Sequence, residues 1–83
     1  MYGHHWDIYP AKILVKPDET VISGRIRRNI RFWPKKTIYY TMVYKGDERV
    51  SLTYNTTIDS TWKLGALNVI RFIGDEMVKD FFK

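Results

Sequence analysis

Apolar and polar residues alternate with a period of two along much of the chain as far as Ile58, and with a period near 3.6 after it. Ala11-Lys12-Ile13-Leu14-Val15-Lys16 reads as a short strand closed by a turn at Pro17-Asp18-Glu19, where proline suits the second turn position and aspartate the next. A second strand is predicted from Thr20. Its even positions are Ile22, Gly24, Ile26, Arg28, Ile30 and Phe32, and its odd positions are Val21, Ser23, Arg25, Arg27, Asn29, Arg31 and Trp33. Alternation sends the isoleucines to a core and puts Arg25, Arg27 and Arg31 together on the other face, with Arg25 and Arg31 about 20 Å apart along one ridge. Arg28 breaks the pattern. Either a bulge near Gly24 or Asn29 turns it outward, or the strand is shorter than drawn. Pro34 ends the run because it cannot donate to a ladder.

A hairpin is predicted next, from Thr37 to Tyr44, through a turn at Lys45-Gly46-Asp47-Glu48, and back from Arg49 to Ile58. The return strand puts Val50, Leu52 and Tyr54 on one face and Ser51, Thr53 and Asn55 on the other. A loop of two or four residues pairs Tyr39 with Tyr54 and leaves Tyr40, Met42 and Tyr44 on the Ser/Thr side; a loop of three reverses this and buries them. The first register is the expectation adopted here. Asp59-Ser60-Thr61 then reads as an N-cap cluster ahead of a helix. Trp62, Ala66, Ile70, Ile73, Met77 and Phe81 recur at spacings of three and four, with Leu67, Val78 and Phe82 beside them. Gly74-Asp75 reads as a break, since glycine suits a C-terminal cap and aspartate a new N-cap.

Only that helix can cover the apolar face of the sheet. The expected fold is therefore α+β: a four-stranded antiparallel sheet covered on one face by a C-terminal helix broken near Gly74. With 83 residues the chain forms one domain, 1–83, whose first nine residues are expected to be a flexible N-terminal segment. There is no cysteine, so neither disulfides nor thiolate-bound zinc can supplement a small core. No apolar run reaches the about 20 residues of a membrane helix, and no signal peptide is visible, so a cytoplasmic location is expected.

Charge changes the picture more than composition does. The formal net charge is +5. Arg25, Arg27, Arg28, Arg31, Lys35 and Lys36 fall within one short strip that holds no acid, and the rest of the chain is close to neutral. Arginine forks match phosphate oxygens, and clustered positive charge is the footprint of nucleic-acid binding. Aromatic residues adjoin the strip: Phe32 and Trp33 at its end, and Tyr40 and Tyr44 in the adopted register. Exposed rings beside cations stack unpaired bases, which favours RNA or a single strand over duplex DNA. The expected interface is Arg25, Arg27, Arg28, Arg31, Trp33, Lys35, Lys36, Tyr40 and Tyr44.

Catalysis finds no support. Both histidines, His4 and His5, lie near the N-terminus, and there is neither a glycine-rich phosphate loop nor a metal-ligand spacing. His4-His5 with Asp7 resembles a terminal metal motif only loosely, so no metal and no cofactor are expected. Asn55-Thr56-Thr57 is a formal glycosylation sequon read as strand sequence. The alternative to a nucleic-acid-binding module is a protein-interaction module that inhibits or regulates a nucleic-acid-handling enzyme, with the same ridge meeting an acidic surface. A homodimer is compatible with either.

Overall fold

The computed structural model describes residues 6–29, 31–32, 35–55 and 60–81, and side chains in the helix from 63 onward. Five strands and one helix follow in order: β1 (Trp6–Ile8), β2 (Lys12–Val15), β3 (Thr20–Arg28), β4 (Lys36–Lys45), β5 (Glu48–Tyr54) and α1 (Ser60–Phe81). All strand pairings are antiparallel. The sheet runs β1-β3-β4-β5, and β2 pairs with β3 on the side that β1 also uses. The α+β class is as expected, but the sheet has five strands instead of four.

The added strand is β1, within the segment expected to be flexible. It pairs Trp6 with Arg28, Asp7 with Arg27 and Ile8 with Ile26. Trp6 is 7% exposed and belongs to the core. β1 and β2 act as one interrupted edge strand. Between the pairs Ile8–Ile26 and Lys12–Ser23, residues Tyr9, Pro10 and Ala11 lie opposite only Gly24 and Arg25. Pro10 cannot donate to a ladder, so the surplus residue is accommodated as a kink at this point.

The even face of β3 and β4 builds the core: Ile22, Ile26, Ile38, Tyr40, Met42 and Tyr44 are all buried there. From α1, Ala66, Val69, Ile70 and Val78 join them, with Ile73 and Met77 partly buried alongside. The helix is continuous over 22 residues, so the break expected at Gly74 does not occur. Gly74 instead permits close approach. A Cβ there would lie 2.5 Å from the Tyr44 hydroxyl and 2.7 Å from the end of Met42.

The hairpin register is also the reverse of the one adopted from the sequence. Lys45 pairs with Glu48 around a two-residue turn, Tyr44 pairs with Arg49, but Val43 pairs with Ser51. Gly46 has φ +64° and Asp47 does not share a positive φ, as in a type II′ hairpin turn with glycine at its first central position. Val50 is thus an extra residue, bulged out of the ladder, and it flips the parity of everything beyond it. Tyr40 and Tyr44 are consequently buried on the helix side, and Tyr39 faces away from it.

Candidate nucleic-acid interface

The helix covers one face of the sheet, and the odd face of β3 and β4 is left open. Its rows follow from the pairing. Asp7, Arg27 and Thr37 form one row; Arg25 and Tyr39 the next; Lys12, Ser23, Thr41 and Thr53 the third; Leu14, Val21, Val43 and Ser51 the fourth. The open face therefore grades from cationic at one end, through hydroxyls, to apolar at the other.

Arg25 and Arg27 lie on this face as alternation requires, but the ridge is shorter than expected. β3 ends at Arg28, and Arg31 lies beyond it in a turn with Phe32. Phe32, expected among the aromatic residues at the end of the strip, is 91% exposed there, with φ +69°, and the Arg31 guanidinium sits 5.1 Å from its ring centre. No bulge turns Arg28 outward. It faces inward across from Trp6 and Lys36 and is 4% exposed, so it does not add to the open surface. Lys35 and Lys36 are exposed. Trp33 lies outside the described residues, as do His4 and His5. Tyr40 and Tyr44, expected as stacking platforms, are buried.

The two open-face arginines differ in their surroundings. Arg25 is exposed, and its guanidinium packs 4.3 Å from the ring centre of Tyr9, in the kink between β1 and β2. Arg27 meets Asp7: Nη2 and Nε donate to Asp7 Oδ2 at 2.6 and 2.9 Å, and Asn29 Nδ2 donates to Oδ1 at 3.1 Å. Those bonds, Arg27's first, hold the Asp7 carboxyl below its ordinary value and raise the Arg27 guanidinium above its own. Among the described residues Arg25, Arg31, Lys12, Lys35 and Lys36 have no ion-pair partner.

Residues that the sequence reading missed complete the surface. A shallow groove of about 460 Å³ runs along Pro10, Lys12, Ser23, Arg25, Tyr39 and Thr41. Tyr39 stands directly across from Arg25 and is 51% exposed. Asn55 fixes its backbone from the other side: Tyr39 N donates to Asn55 Oδ1 at 2.9 Å, and Asn55 N donates to Tyr39 O at 3.1 Å. The sequon asparagine thus serves as a clamp at the end of the hairpin. Below the groove, Gly24 makes room for Tyr40, whose hydroxyl would lie 2.6 Å from a Cβ at that position.

Two cations, an exposed ring and two hydroxyls on one flat face can meet phosphates, a base and sugar hydroxyls together. Among the described residues, no group of three or more His, Cys, Asp or Glu side chains is placed to hold a metal ion, and no helix is long and apolar enough to cross a membrane. No protein-family model, curated protein or solved structure matches the chain.

Proposed function

We propose that the chain is a small nucleic-acid-binding module, not an enzyme, that takes single-stranded RNA on the open face of its sheet. The observation carrying this reading is the cross-strand pair Arg25–Tyr39, a cation without a carboxylate partner among the described residues beside a half-exposed ring. Arg25 and Lys12 meet phosphates, Tyr39 stacks a base, and Lys35, Lys36 and Arg31 extend the positive field past the end of β3. The basic strip supplies the ligand's sign, and the ring selects unpaired bases. Fluorescence anisotropy with a labelled oligouridylate tests this. Tyr39→Ala is expected to weaken binding by about 1–3 kcal/mol, the usual worth of one stacked base. Equal affinity of Tyr39→Ala and the unaltered protein would remove the stacking platform from the account.

A protein partner is the second reading, and it has its own support at the apolar end of the face. Leu14 is 57% exposed, in one row with the half-buried Val21 and Val43. Regulation of a nucleic-acid-handling enzyme would use that end for contact and the cationic end for steering. Co-purification after nuclease treatment separates the two readings: a partner retained supports regulation, and a partner lost supports direct RNA binding.

A further inference from the structure

Asp7 is placed where a ligand of the proposed interface would be expected. It lies on the open face, in the row next to Arg25 and Tyr39, and three donors converge on it from Arg27 and Asn29. The two arginine nitrogens share Oδ2, and the Asn29 amide takes Oδ1. A phosphodiester likewise offers two non-bridging oxygens on one negatively charged centre. Lys35 lends a weak positive field from a distance, the least of the influences that lower the Asp7 carboxyl. The pair is also partly open to solvent, with side-chain exposures of 36% for Arg27 and 31% for Asp7.

We propose that Arg27 and Asn29 form a phosphodiester site that the chain's own Asp7 occupies when no nucleic acid is bound. Asp7 is then an intramolecular competitor that RNA must displace. This rests on the reading of the open face as an RNA interface. The strand need not detach for the exchange. β1 is anchored by its backbone pairing and by the buried Trp6, so only the Asp7 carboxylate has to rotate off the guanidinium. The arrangement keeps a strongly basic fork from holding stray anions, and it yields to a polyanion already seated on Arg25 and Tyr39.

The test uses the full chain, Asp7→Asn, and Asp7→Asn combined with Arg27→Gln, titrated with an oligouridylate at several salt concentrations. Asp7→Asn is expected to bind severalfold more tightly. Its plot of log affinity against log salt should be steeper by about 0.7, the contribution of one more neutralised phosphate on a single strand. The added Arg27→Gln change should cancel both gains. A second measurement needs no variant: the side-chain Nε–H resonance of Arg27 in the unaltered protein should move on titration. If the oligonucleotide binds and shifts Arg25 but leaves Arg27 unmoved, or if Asp7→Asn binds no better, the masked site is overturned and the interface stands. If neither protein binds at low salt, both fall.

Discussion

Tyr39 and Tyr40 are neighbours in sequence with opposite fates. Tyr40 is 2% exposed, its hydroxyl lies over Gly24, and burial pushes its phenol up. Tyr44 is raised as well, by burial first and then by the bond its hydroxyl donates to Asp75 at 2.7 Å. A phenol raised in the folded state has no effect on stability below its unfolded value of about 10 and weakens the fold as pH climbs toward the folded value. Alkaline titration followed at 295 nm is therefore expected to show late tyrosine ionisation coinciding with loss of structure by circular dichroism. Early, reversible ionisation of all six tyrosines would contradict their placement. Asp7 has the opposite sign. Its lowered carboxyl contributes stability above about pH 3.9 that disappears as pH falls through the depressed folded value. Asp7→Asn should flatten that acid limb of the stability profile.

At the level of elements, the two helical glycines in α1 make opposite expectations. Gly65 has nothing within 4 Å of a Cβ, so Gly65→Ala should stabilise by about 1 kcal/mol through helix propensity alone. Gly74→Ala gains the same propensity but drives a methyl into Tyr44 and Met42. Met42 can swing away, whereas the Tyr44 ring is held by Asp75, with Arg49 Nη1 also on the same carboxylate at 2.9 Å. A net loss of about 1–3 kcal/mol is expected, the usual cost of overpacking. Urea denaturation of the two variants checks both signs. The helix was legible in the sequence because the 3.6 period is a local signal, but its buried stripe takes in Val69, which the reading left out, and leaves Phe81 half exposed. The role of Gly74 was not, since a cap and a close approach to a distant ring call for the same residue. The hairpin turn was legible too, in Gly46-Asp47. Its register was not, because one bulged residue leaves no trace in composition and yet inverts every side chain beyond it. β1 was missed for a related reason: three residues on an edge are held by a buried tryptophan and a long-range ion pair, neither visible in a local pattern.

For the whole molecule, the separation of faces matters more than any one contact. The chain forms an elongated body of 44 × 22 × 17 Å, with the helix on one side of the sheet and the graded open face on the other. Alternation alone assigned Arg25 and Arg27 to that open face correctly. It extended the ridge too far, because the end of a strand is set by its partners, and among the described residues no pairing with β3 continues past Arg28. It also could not foresee that Asp7 would fold onto Arg27. What remains is a smaller cationic field centred on Arg25, with Lys12 beside it, Arg31 and Lys35 beyond the end of β3, and the exposed Tyr39 ring at its middle.

The most direct test of that field is the salt dependence of oligouridylate binding by the unaltered protein and by Arg25→Gln. The unaltered protein should lose affinity steeply as salt rises, in a straight line of log affinity against log salt. Arg25→Gln should bind more weakly at every salt, with a slope shallower by about 0.7. Binding that ignores salt, or that keeps the same slope without Arg25, would contradict an interface built on this face.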